Sequence, residues 1–165
     1  MGYRLIGFVV IAILYVTIGM LAGTGTVYIF RRILSPKAEQ IFYAMLLALV
    51  AGFYLAFVAY FGAATAWPWE AAAVVAFIAI SVLGVRLPFA LILGYSLHGL
   101  WDSLHELQAH GVHTTFEPGQ LTAIPLAYGF FCAAYDFYMA VYFYRRRAEW
   151  SAARKVIASA HASRD

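Results

Sequence analysis

The chain has 165 residues, of which 64% are hydrophobic types and only 12% are charged, against about 25% charged in an ordinary soluble domain. That balance excludes a soluble or disordered class, and a single cysteine, Cys132, excludes a disulfide framework. The formal charge of +3 does not point to nucleic acid, because the cations sit in the segments between and after the apolar runs.

A membrane-spanning helix needs about 20 mostly apolar residues, and by that measure the sequence predicts five. Residues 5–30 form the first. It opens like a signal peptide, with Arg4 before an apolar run and small residues at Gly23 and Gly25. The run is longer than the usual h-region of about 7–15 residues and continues to Arg31 and Arg32, a stop-transfer pattern, so the helix is expected to be retained. Gly19 and Gly23, four apart, mark a helix-contact face, internal or dimeric. Residues 41–62 form the second span. Residues 71–107 are too long for one crossing, at about 55 Å. Gly84, Arg86 and Pro88 mark an interfacial turn there, which divides the stretch into spans at 69–85 and 87–107. Residues 121–144 form the fifth, with Pro125 in the first turn, where a missing N–H is tolerated.

The expected fold class is therefore all-α, a polytopic bundle of five transmembrane helices over residues 1–146, with a basic cytoplasmic tail at 147–165. Arg31, Arg32 and Lys37 lie between spans one and two, and Arg86 between three and four. Arg145, Arg146, Arg147, Arg154, Lys155 and Arg164 follow span five. All fall on one side, which the positive-inside rule makes cytoplasmic; only Arg4 falls on the other. The N-terminus is then outside and the C-terminus cytoplasmic. Trp67 and Trp69 fit the outer aromatic belt, and Tyr142, Tyr144 and Trp150 the inner one. The tail reads as solubilising and topology-fixing, or as an amphipathic helix on anionic lipid. Residues after Arg147 are expected to be dispensable for folding.

The chemistry-bearing residues lie in spans four and five. His98, Asp102 and His105 are spaced i, i+4, i+7, so they share one helix face, which Tyr95 extends. Span five carries Cys132, Tyr135 and Asp136. An Asp at the centre of a span costs about 2.5–3.5 kcal/mol on the insertion scale, so both Asp side chains are expected to face the bundle interior. Counted from the cytoplasmic face, His98 and Asp136 differ by only about 5 Å in depth, and the two sets can meet. His and carboxylate donors suit zinc or another divalent transition metal. The expected ligands are His98, His105 and Asp136. Asp102 is the general base, or a carboxylate that orients a ligating His. The same residues also fit a hydrogen-bonded pair that locks helix packing, or a proton path. Cys132 reads as a small buried hydrophobe, and His110 and His113 as solvated loop residues.

These segments carry a resemblance. His98-Gly99-Leu100-Trp101-Asp102-Ser103-Leu104-His105 and Phe131-Cys132-Ala133-Ala134-Tyr135-Asp136 resemble the H-x-x-W-D-x-x-H helix and later F-C-x-x-Y-D segment of a small, uncharacterised bacterial integral-membrane family of unknown function. The resemblance covers residues 94–144. It implies a bacterial inner membrane location and treats His98, Asp102, His105 and Asp136 as one site, and it brings no substrate. In chemistry alone the set is distantly similar to membrane zinc hydrolases of the alkaline ceramidase type, which have seven spans and a different residue order. The expected function is a metal-dependent intramembrane enzyme, a hydrolase of a lipid or apolar substrate. The alternative is a non-enzymatic membrane subunit or a small proton- or ion-conducting protein. The lipid bilayer is the expected partner, with a homo-oligomer or a membrane-complex partner left open.

Overall fold

The computed structural model describes residues 2–162. The expected cytoplasmic placement of Arg164 and Asp165 falls outside them, as do the side chains of Arg4 and His161. The described residues form five helices: α1 (Gly2–Ile33), α2 (Pro36–Phe61), α3 (Trp67–Gly84), α4 (Pro88–Ala109) and α5 (Tyr128–Ala162). By length and composition, α1, α2 and α3 are able to cross a membrane.

Proline sets three of the starts. Pro36, Pro68 and Pro88 each stand in the first turn of their helix, where the absent N–H has no intrahelical partner to lose. Ser35 caps α2 by accepting from the Ala38 N–H at 3.4 Å. Leu87, forced out of the helical region by the proline after it, is extended at φ −115°. Gly62 ends α2 at φ 65°, a left-handed conformation that a side chain would strain.

α4 and α5 form the most extensive helix pair, and α1 leans mainly on α5. The Gly19/Gly23 face lies in that second contact. A Cβ added at Gly19 would strike the Phe131 carbonyl, and one at Gly23 would come within 2.7 Å of the Tyr138 ring. This glycine pair therefore serves packing inside the chain. Tyr43, Leu47, Leu91, Tyr95, Met139, Phe143 and Trp150 make the core.

Two expectations about the last helix are corrected. It begins at Tyr128 rather than at residue 121, and Pro125 lies in the loop before it. Two buried carboxylates capture backbone N–H groups that a longer helix would use. Glu70 takes the Thr122 N–H at 2.8 Å, and Glu106 takes the Gly129 N–H at 2.9 Å. Ala127, between them, is left-handed at φ 57°. At the other end α5 runs on without a break past Arg147 to Ala162. Trp150 is fully buried within the chain rather than facing outward, and its indole N–H donates to Glu39 Oε2 at 3.0 Å. Arg146 is also buried and pairs through Nε with the same oxygen at 3.0 Å. The residues after Arg147 thus include part of the core, and the dispensable tail is revised accordingly.

Candidate functional site

α4 places its polar residues on one side. His98, Asp102, His105 and Glu106 are buried, whereas Phe89, Leu93, Leu97, Leu100 and Leu107 are exposed. The buried side meets α5 because small residues allow close approach. A Cβ on Gly129 would lie 2.5 Å from the Asp102 carbonyl oxygen, and one on Gly99 would lie 3.2 Å from Asp136 Cβ.

His98 and Asp136 face each other across this seam. His98 Nδ1 is 2.7 Å from Asp136 Oδ2, a hydrogen bond, and 3.2 Å from Asp102 Oδ2. The second contact is close but not aligned as a hydrogen bond. Asp102 Oδ2 and His98 Nε2 are both buried without a hydrogen-bond partner among the described residues. Asp102 Oδ1 accepts from the Tyr54 hydroxyl on α2. Ligand atoms of His98, Asp102 and Asp136 lie within 4.8 Å of one another, so this buried trio can hold a metal ion.

His105 stands apart from the trio. Its Nε2 meets Glu70 Oε1 at 2.7 Å and its Nδ1 meets the Trp101 carbonyl at 2.9 Å. Both ring nitrogens are therefore engaged. Glu70 Oε2 also accepts from the Trp101 indole at 3.3 Å. His110 is exposed in the turn after α4, as expected, but it has partners: its Nε2 is 2.9 Å from Glu106 Oε1, and its ring lies edge-on to Phe8, 4.2 Å between centroids.

Three residues around the site were not singled out from the sequence: Tyr54, Glu70 and Glu106. Tyr54 lies in an apolar run among twelve tyrosines, and nothing local distinguishes it. Glu70 follows Trp67-Pro68-Trp69 in the first turn of α3, where an acidic residue also suits the helix dipole. Glu106 had a local signal, since it precedes by four residues His110, the residue that closes α4.

A cavity of about 160 Å³ adjoins the trio, lined by His98 and Asp136 together with Leu46, Val50, Tyr128 and Phe131 among others. Cys132, half-buried with a free thiol, and Tyr135 complete the lining.

A family model described as "Family of unknown function (DUF6010)" matches residues 6–149. The chain belongs to the DUF6010 family. The match extends well beyond the two segments that carried the sequence resemblance, taking in α1 to α4 and α5 as far as Glu149. Every DUF6010 residue of the trio, together with Tyr54, Glu70 and His105, falls inside it. No curated protein and no solved structure matches the chain.

Proposed function

We propose that His98, Asp102 and Asp136 bind a divalent transition-metal ion, zinc being the best fit to the donors, and that the chain is a metal-dependent intramembrane hydrolase of a lipid or other apolar substrate. The observation that carries this reading is the buried trio itself. Two carboxylates converge on one imidazole in an apolar interior, and among the described residues neither is paired with Lys or Arg. Such charge is costly unless compensated, and a divalent ion offsets both. Asp102 takes the ligand position first expected of His105, and Tyr54, bound to Oδ1, orients Asp102 so that Oδ2 remains available. A metal ion in such a site supplies a water with a pKa near 7 as nucleophile.

The cavity supports the apolar substrate. Its walls come from the middle of α2, from His98 in the middle of α4 and from the first turns of α5, beginning at Tyr128, and all but two of its lining residues are apolar or aromatic, which suits an apolar group. A cavity of roughly 150 Å³ accepts a group the size of benzene.

The same reading makes α4 and α5 transmembrane, for five spans in all. Their polar residues turn inward while apolar side chains face out, among them Phe89, Leu97 and Leu100 on α4 and Phe137 and Val141 on α5. Lys37, Arg86, Arg146 and Arg154 gather at one end of the bundle through contacts between α2, the α3–α4 turn and α5. By the positive-inside rule that end is cytoplasmic, with the N-terminus outside, in a bacterial inner membrane.

A second reading, a proton path, is favoured by one observation: the buried ionisable groups form a succession. Glu70 meets His105, the His105 and Tyr54 rings lie 4.4 Å apart between centroids, and Tyr54 leads through Asp102 and His98 to Asp136. The two readings separate on the metal content of purified protein after exposure to zinc and desalting. About one ion per chain, lost in a folded His98→Ala/Asp136→Ala variant, supports the metal site. No stoichiometric ion in the parent overturns it, and proton flux into liposomes then tests the path.

A further inference from the structure

At the end of the bundle away from the His/Asp trio, the turn between α3 and α4 leaves successive carbonyls pointing out of the helix, and three donors from other helices cover them. Gln40 Nε2 donates to Gly84 O at 2.7 Å, Lys37 Nζ donates to Val85 O, and Arg154 Nη1 donates to Arg86 O at 2.8 Å. The last two bring an ammonium and a guanidinium onto neighbouring residues of one turn. The Arg86 side chain belongs to the same turn, and Lys37 feels the positive charges of both Arg86 and Arg154.

Among the described residues no acid is paired with them. Glu39, the nearest in sequence, is fully buried and already holds Tyr142, Arg146 and Trp150. Glu149 is paired with Arg146. The Arg86 guanidinium has no hydrogen-bond or carboxylate partner among the described residues. One carbonyl uses one of the three donors of Lys37, and another uses one of the five of Arg154, so most of their donors stay available. Beside them lies a cleft of about 530 Å³ lined by Arg86 and Arg154 and by the apolar side chains Val82, Leu83, Val85 and Leu87. Val82 and Leu83 lie on the exposed face of α3.

We propose that Lys37, Arg86 and Arg154 form a binding site for the phosphate of an anionic phospholipid, whose acyl chain lies along Val82 and Leu83. Three converging cations without a counter-charge suit a phosphate, since Arg presents a bidentate fork to its oxygens and Lys a point charge. The apolar strip continuing from the cations along a membrane helix selects a lipid over a soluble phosphate. Basic pockets between transmembrane helices bind anionic head groups in the same way.

The test uses the full chain, delipidated in a neutral detergent. Binding of phosphatidylglycerol, phosphatidylcholine and inorganic phosphate is measured by native mass spectrometry and by titration. Phosphatidylglycerol is expected to bind at least about tenfold more tightly than phosphatidylcholine, a difference of about 1.4 kcal/mol. Arg86→Gln, at a side chain with no bonding partner among the described residues, should remove most of that preference without changing the unfolding midpoint of the lipid-free protein. Arg86→Lys should retain part of it. Equal affinity for the two lipids overturns the proposal, as does an Arg86→Gln/Arg154→Gln variant that binds phosphatidylglycerol like the parent. Inorganic phosphate that displaces the lipid at comparable concentration makes the site one for a soluble anion and overturns it too.

Discussion

The Tyr54 hydroxyl on α2 is bonded to Oδ1 of Asp102 on α4, fully inside the bundle. It ties the helix that lines the cavity to the helix that supplies two members of the trio. Tyr54→Phe removes the donor and keeps the ring. Loss of this bond should cost about 1–2 kcal/mol, toward the upper end for hydrogen bonds between membrane helices, because it leaves a buried carboxylate oxygen unpaired. Reversible unfolding in mixed detergent measures the loss. In the metal reading the variant also binds zinc more weakly, by roughly 10–100-fold.

His105→Gln should separate His105 from His98. Both nitrogens of His105 are occupied, by Glu70 and by the Trp101 carbonyl, so the variant should keep the parent's metal content. It should lose about 1–3 kcal/mol of stability, the cost of leaving part of a buried polar cluster unpaired. Loss of metal from a folded His105→Gln protein would return His105 to the ligand set.

Gly129→Ala tests whether the α4–α5 seam sets the site geometry. The new methyl would lie 2.5 Å from the Asp102 carbonyl and 2.8 Å from Glu106 Cβ, a collision with backbone that requires the helices to shift. A cost of about 1–3 kcal/mol is expected. Gly25→Ala is the control. It meets nothing within 4 Å inside α1, and should be neutral or stabilising by up to about 1 kcal/mol.

Truncation after Arg147 should give an aggregating protein, since it removes the buried Trp150 ring that packs against Tyr43 and Phe143. Trp150→Ala should cost about 3–5 kcal/mol. Trp150→Phe, which keeps most of the ring and loses the bond to Glu39, should cost about 1–2 kcal/mol. A monodisperse truncated protein with the parent's unfolding midpoint would contradict the core role of Trp150.

The helices were legible because the apolar runs are long and their breaks are marked locally, by Ser35-Pro36 and by Gly84, Arg86 and Pro88. The meeting of His98 and Asp136 was legible because helical spacing and a depth that differs by only about 5 Å are one-dimensional quantities. What escaped depends on partners distant in sequence. Residue 121 looked like a helix start because an apolar run gives no sign that Glu70, 52 residues earlier, binds the Thr122 N–H. His105 looked like a ligand because its face is shared with His98; that Glu70 would claim it follows only from how α3 packs on α4. Trp150, set among charged residues, reads as interfacial until Glu39 is brought to it.

The Glu39 cluster also bears on the order in which the bundle assembles. The three groups that hold this carboxylate, from Tyr142, Arg146 and Trp150, follow it by 103, 107 and 111 residues. At translation rates of about 5–20 residues per second, roughly 5–20 s separate their departures from the ribosome. In that interval Glu39 has none of these partners, although it sits in the first turn of α2, where the positive end of the helix dipole favours it. A nascent chain halted before Tyr142 thus holds Glu39 at one end of α2 with the helix dipole but without the three side chains that later enclose it.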